Sequence, residues 1–89
     1  MRAIVSVIGK DTVGILARTT AVCAEHHVNV EDVTQSILRD LFAMIMLVDV
    51  TNSDIPLAEL SDKLEAVGKE MGLSIHVMHE DIFDAMHTF

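Results

Sequence analysis

The sequence predicts an α+β fold in which two helices cover one face of a four-stranded antiparallel sheet. Along its 89 residues the hydrophobic period switches between two and 3.6, in the order strand, helix, strand, strand, helix, strand. Hydrophobic residues make up 51% of the chain, which is enough for one core, and no linker or low-complexity tract divides it. We therefore expect a single domain over residues 1–89, with a short helical extension at 80–89.

The first two elements are a buried strand and an amphipathic helix. Residues 3–9 are β-branched and apolar on both faces, which is typical of a central strand, and the loop after Gly9 ends it. Residues 13–27 repeat apolar side chains along one helical face, and Thr12 stands where an N-cap is expected.

A hairpin and a second helix come next. Residues 28–38 have an extended pattern, Arg39-Asp40 supplies a tight turn, and residues 41–50 form a second buried strand. The following helix begins near Pro56, keeps a heptad-like apolar spacing and ends at Gly72.

The chain then returns to a strand and ends in a helical tail. Apolar residues alternate along 73–78, as in a half-buried strand. The tail carries an apolar stripe, which we expect to dock on the sheet or on a neighbouring subunit. Its members are Ile82, Phe83, Met86 and Phe89.

This order is the ferredoxin-like βαββαβ two-layer sandwich. Right-handed crossovers place both helices on one face of the sheet and leave the other face bare. We expect Met44, Met46 and Met78 to lie on that bare face. A large exposed apolar patch indicates an interface, so we expect a homodimer or a higher homo-oligomer.

Charge and composition exclude several classes of partner. Fourteen acidic residues against six basic ones give a net charge of −8, and aromatic residues are only 3%, so nucleic acid is not an expected partner. The longest apolar run, residues 41–48, is too short to cross a membrane, and the N-terminal run is too short for a signal-peptide core. The single Cys23 forms no intramolecular disulfide, and we expect a cytoplasmic protein with a buried, inert thiol.

The sequence contains no pattern typical of a catalytic or metal site. The adjacent pair His26-His27 and the pair His76 and His79 have spacings that do not place two ligands on one face of a helix or strand. Walker loops, zinc signatures and a Ser-His-Asp arrangement are also missing. An acylphosphatase would need an arginine in the first loop, which offers only Lys10. We expect a protein that is not an enzyme and needs no metal or cofactor.

Two segments resemble a known family. Residues 5–16, VSVIGKDTVGIL, followed by residues 27–33, HVNVEDV, resemble the ACT domain, a small regulatory module that binds amino acids in many biosynthetic enzymes. The resemblance runs from residue 3 to about residue 78. It implies the ferredoxin-like fold, association of subunits and a ligand site at their interface.

The candidate ligand site combines residues that fit the family's loop and second strand with the residues around Val13 to Ile15, whose main-chain amides lie at the start of the first helix. Many members carry proline at the position of Val13. The candidate residues are Gly9, Asp11, Val13, Gly14, Ile15, Asn29 and Val30.

The physical chemistry of the loop supports the same site. A helix N-terminus offers unpaired N–H groups and a partial positive charge for a ligand carboxylate, and Gly14 permits close approach. Asp11 or the Asn29 side-chain oxygen accepts hydrogen bonds from a ligand ammonium. The alternative is purely structural: Asp11 caps the helix, Asn29 makes a turn and the glycines serve the backbone.

The function expected is therefore regulatory. The first hypothesis is a non-enzymatic protein that binds an amino acid or similar small metabolite and alters the activity of a regulated protein. The second is a ligand-free oligomerisation or protein-interaction module that keeps the same architecture.

Overall fold

The computed structural model describes residues 1–10 and 13–86 and confirms the predicted fold class. A four-stranded antiparallel sheet is combined with three helices. The elements in chain order are β1 (Arg2–Lys10), α1 (Ile15–Glu25), β2 (Asn29–Leu38), β3 (Leu41–Asp49), α2 (Leu57–Met71), β4 (Ser74–His79) and α3 (Glu80–Met86).

The sheet has the strand order β2-β3-β1-β4, so β1 is a central strand, as its apolar pattern predicts. Arg2 of β1 lies opposite Asp49 of β3, and Lys10 lies opposite Leu41 at the other end of the sheet. The register of β2 against β3 shifts by one residue at Glu31, a β-bulge near the start of β2.

The core lies between the sheet and the helices α1 and α2. Alternate residues of β3 are buried there, and α1 and α2 contribute Ile15, Cys23, Leu60 and Leu64. The expectation that Met44 and Met46 lie on the bare face is therefore wrong, because both are buried in this core. Strand β3 is apolar on both sides, so its alternation alone does not tell which side faces the helices.

The opposite face of the sheet remains open over β3 and part of β1. Ile8 and Ile45 are 49% and 45% exposed, and Leu41 is exposed as well. The strand register places Ile8 opposite Ala43 and Ser6 opposite Ile45, so these side chains share one face. The chain thus presents an open apolar sheet face, as expected, with Ile8, Leu41 and Ile45 in place of Met44 and Met46. Met78 lies opposite Ile4 and so is on this face, as predicted.

The helix α3 lies against β1 and β4. The Arg2 guanidinium donates to the Glu80 carboxylate (Nη2 to Oε1, 2.7 Å), and this bond raises the pKa of Arg2. Phe83 is half-buried, but Ile82 and Met86 are exposed, so α3 docks with less of its apolar stripe than predicted. The fourth member of that stripe, Phe89, lies outside the described residues.

The helix ends agree with the sequence at α2 and differ at α1. Pro56 precedes α2 and Gly72, with φ 74°, ends it, as predicted. The helix α1 spans Ile15–Glu25 rather than 13–27, and its N-cap position is Gly14 rather than Thr12. None of the described helices combines the length and apolarity that a membrane span requires.

Candidate functional site

Gly9 lies near the end of β1, just before the β1–α1 loop, and packs closely against Leu73, the residue that precedes β4. A Cβ at this position would collide with the Leu73 side chain and lie 3.4 Å from the Leu73 Cα. A larger residue at this position would require the Leu73 side chain to move, so Gly9 lets the end of β1 lie close to Leu73.

Gly14 sets the start of α1. Its φ of 87° lies in the left-handed region, which favours glycine, and a Cβ built there would have no heavy atom within 4 Å. The adjacent Val13 is fully exposed. The surface in front of the helix N-terminus is therefore open on the described side of the loop.

The N-terminus of α1 has no charge compensation from its own first turn. The first intrahelical bond runs from the Arg18 N–H to the Gly14 carbonyl at 2.9 Å, so the preceding N–H groups have no acceptor within the helix. Gly14 offers no side-chain cap, and the first turn contains no acidic residue. Within the described residues, a carboxylate placed here would meet N–H donors that have no acceptor in the helix, together with the positive end of the helix dipole.

Ile15 and Asp11 complete the predicted loop. Ile15 is buried in the core, so it contributes its main-chain amide and not its side chain to the loop surface. Asp11, predicted as an ammonium acceptor, and Thr12 lie outside the described residues.

Asn29 and Val30 begin β2. Asn29 is exposed and lies opposite Asp49 of β3, while Val30 is half-buried against the core. A surface cavity of about 410 Å³ adjoins this strand start, and its lining is His27, Val28, Asn29 and Asn52. Asn29 therefore lines an open depression at the surface beside the start of β2.

The two halves of the predicted site lie at opposite ends of the sheet. Lys10, at the loop, lies opposite Leu41, whereas Asn29 lies opposite Asp49, which pairs with Arg2. This offset is roughly eight residues along a strand, or about 27 Å. A single copy of the chain does not bring the loop and Asn29 together.

The structure brings together a histidine and an aspartate next to the Asn29 cavity, a pair that the sequence pattern does not predict. His26 Nδ1 lies 2.8 Å from Asp54 Oδ1, and the Asp54 N–H donates to the His26 carbonyl at 3.3 Å. The His26 side chain is 12% exposed, and its Nε2 is buried without a hydrogen-bond partner. This pair ties the end of α1 to the β3–α2 loop, and the separation of 28 residues hides it from spacing arguments.

The other candidates that the sequence raised are the two histidines of β4 and Cys23. The two histidines of β4 lie three residues apart on a strand, and His79 Nδ1 accepts from the Asp81 N–H at 3.0 Å. Within residues 1–10 and 13–86, no group of three or more His, Cys, Asp or Glu side chains is placed to hold a metal ion. Cys23 is buried, and desolvation raises the pKa of its thiol, which keeps it in the unreactive protonated form.

Comparison with known proteins identifies the family. The profile of the ACT domain matches residues 2–78. A UPF0237 protein from Methanopyrus kandleri and another from Methanocaldococcus jannaschii are each 49% identical over 86 residues, covering 97% of this chain and 96% of the relative. Among solved structures, an ACT domain protein from Streptococcus pneumoniae superposes with a TM-score of 0.81 at 32% identity and covers 98% of both chains. The chain therefore belongs to the ACT domain family.

Proposed function

We propose that this protein is a non-enzymatic sensor that binds an amino acid or similar small metabolite between two copies of the chain and so regulates a partner protein. Membership of the ACT domain family supports a regulatory role. The open, uncompensated N-terminus of α1 is the observation that carries the proposal, because it offers a carboxylate-binding surface that the described residues leave vacant.

A second copy of the chain completes the site. Strand β2 is an edge strand, so its outer side can pair with β2 of another copy. Antiparallel pairing would bring the start of one β2, with Asn29, next to the end of the other, at Leu38. Leu38 lies opposite Leu41, which in turn lies opposite Lys10, so this is the end of the sheet that carries the β1–α1 loop.

The two halves suit the two charged groups of a free amino acid. The main-chain amides of Val13, Gly14 and Ile15 would bind the carboxylate, and the missing Cβ of Gly14 leaves room for it. Asp11 of the same copy and the side-chain oxygen of Asn29 from the second copy would accept from the ammonium.

A thermal-shift screen against amino acids, followed by calorimetric titration, tests the proposal. A ligand present at 100 times its Kd stabilises the folded protein by about 2.7 kcal/mol. We expect Asp11→Ala and Asn29→Ala each to weaken binding about 10- to 150-fold, from loss of one hydrogen bond to a charged group. Asp62→Ala, which removes an exposed carboxylate from α2, is the matched control and should bind like wild type.

The second hypothesis, a ligand-free oligomerisation module, draws support from the open sheet face. Ile8, Leu41 and Ile45 expose apolar surface there that favours association without any ligand. If no amino acid shifts the melting temperature while the protein remains oligomeric, this second function replaces the first.

A further inference from the structure

A groove runs along the edge of the sheet that lies farthest from β2. It forms a cavity of about 350 Å³ between α2 and β4. One wall is made by Glu65 and Lys69 of α2, and the other by the consecutive residues Leu73, Ser74, Ile75 and His76. None of its lining residues belongs to the ligand site proposed above, although Gly9 of that site packs against Leu73.

The strand beside the groove has hydrogen-bonding groups to offer. Within the described residues β4 pairs with β1 alone, so on its outer side alternate N–H and C=O groups have no strand partner. An extended peptide satisfies such groups by adding as a further strand.

Close packing fixes the width of the groove. A Cβ at Gly68 would lie 2.9 Å from the Leu73 carbonyl oxygen and 3.0 Å from Ile75 Cγ1, so α2 lies as near to β4 as glycine permits. Both walls therefore belong to packed elements of the fold and not to a loop, which lowers the ordering cost of binding.

The spacing between the two charged residues of α2 is close to the spacing between side chains on one face of an extended peptide. Glu65 and Lys69 lie four residues apart, which is about 6 Å along a helix. Side chains two residues apart on one face of a strand are separated by about 6.8 Å. Among the ion pairs that the described residues make, none involves Glu65 or Lys69, so both charges are available to a partner.

We propose that this groove binds an extended peptide segment of a partner protein, which adds to β4 as an antiparallel strand. Because the chain reverses at Gly72 between α2 and β4, Lys69 lies nearer to Ser74 and Glu65 lies nearer to His76. A strand antiparallel to β4 therefore meets Glu65 first and Lys69 second. The favoured sequence is a basic residue followed two positions later by an acidic one, with apolar residues between and around them.

Two peptides of identical composition test this proposal. The probes are acetyl-Val-Lys-Val-Glu-Val-amide and acetyl-Val-Glu-Val-Lys-Val-amide, titrated against isotope-labelled protein while its amide chemical shifts are followed by NMR. We expect the first to shift the amides of residues 73–76 and to bind roughly two- to thirtyfold more tightly than the second, from two exposed ion pairs.

Exchanging the two charges on α2 tests whether they set the order of preference between the peptides. The double variant Glu65→Lys with Lys69→Glu should reverse the order of preference between the two peptides. The matched control is Asp62→Lys with Lys63→Asp on an exposed part of α2, which should leave the preference unchanged. Circular dichroism of both variants checks that α2 and the sheet remain folded.

Three outcomes would overturn the proposal. The first is that neither peptide shifts the amide resonances of residues 73–76. The second is that the charge swap leaves the order of preference between the two peptides unchanged. The third is that these resonances do not respond to peptide but respond to something else. A response to protein concentration would assign the groove to a second copy of the chain, and a response to free amino acids would assign it to a small ligand. Because Asn29 lies on β2, at the other edge of the sheet, Asn29→Ala separates failure here from failure of the proposed ligand site.

Discussion

Gly14 combines a backbone requirement with an open surface. Its left-handed φ explains why glycine stands there even without a ligand, while the empty space around its Cα leaves room for one. A substitution such as Gly14→Val would both strain the backbone and obstruct the loop. Variants of the side chains proposed to contact the ligand therefore test binding more cleanly than variants of this glycine.

We predict that Gly14→Ala lowers the free energy of unfolding by about 1 kcal/mol, because an L-residue with a Cβ is disfavoured in the left-handed region. Gly14→Asn should lose less, since asparagine tolerates this region better than alanine. Urea unfolding of the three proteins measures the difference. Equal stability of Gly14→Ala and wild type would contradict the backbone assignment.

Asp49, at the end of β3 and opposite Arg2, makes the free energy of unfolding depend on pH. Its carboxylate accepts from the Thr51 hydroxyl at 2.6 Å and from the Thr51 N–H at 2.9 Å, and these bonds lower its pKa below the ordinary value of 3.8. Because the folded pKa lies below the unfolded one, the carboxylate stabilises the fold above pH 3.8. This stabilisation is lost as the pH falls through the folded pKa.

We therefore predict that Asp49→Asn is less stable than wild type at pH 7 and that the difference shrinks as the pH falls below 3.8. Denaturant unfolding at a series of pH values from neutral to strongly acid gives both curves. A gap that stays constant across this range would show that the carboxylate contributes nothing through its charge.

At the scale of elements, strand β3 shows what a sequence pattern can and cannot specify. Its apolar residues predict a buried strand; the strand is confirmed as Leu41–Asp49, but only one of its two faces is buried. The choice of face is not encoded in the strand itself, because both sides are apolar. Packing against α1 and α2 decides it, and the side carrying Met44 and Met46 faces those helices.

The candidate site was predictable in part for similar reasons. The loop glycines and the start of β2 follow from local motifs, and the structure places a helix N-terminus and a strand start at those positions. The distance between them depends on the strand register, which local motifs do not contain. The His26–Asp54 contact likewise joins residues that only the fold brings together.

The structural role of helix α3 can be tested by shortening the chain, because α3 is the last element that the structure describes. We predict that a chain ending at His79 has a lower melting temperature or a smaller assembly than wild type, because part of β1, including the buried Ile4, loses its cover. Glu80→Gln, which breaks the pair with Arg2 but keeps α3, should change both quantities much less. If the shortened chain retains its melting temperature and mass, α3 has no structural role.

At the scale of the whole molecule, the open sheet face and the edge strand β2 both predict association. Burying about 400 Å² of apolar surface on each subunit contributes about 10 kcal/mol for each subunit before the cost of association. We predict a dimer or larger assembly at micromolar concentration, measured by light scattering. A particle of 9.8 kDa, the mass of one chain, would contradict the subunit interface.

The central claim is that one ligand site is built from the β1–α1 loop of one copy and Asn29 of another. Mixing Asp11→Ala with Asn29→Ala, after dissociation and reassembly, tests it by calorimetric titration with an amino acid selected in the screen. In a mixed dimer one site carries both substitutions and the other carries neither. Equal mixing makes about half of the dimers mixed, so about a quarter of all sites should bind with wild-type affinity. If the mixture binds no better than either variant alone, while both variants form dimers, the shared site does not exist.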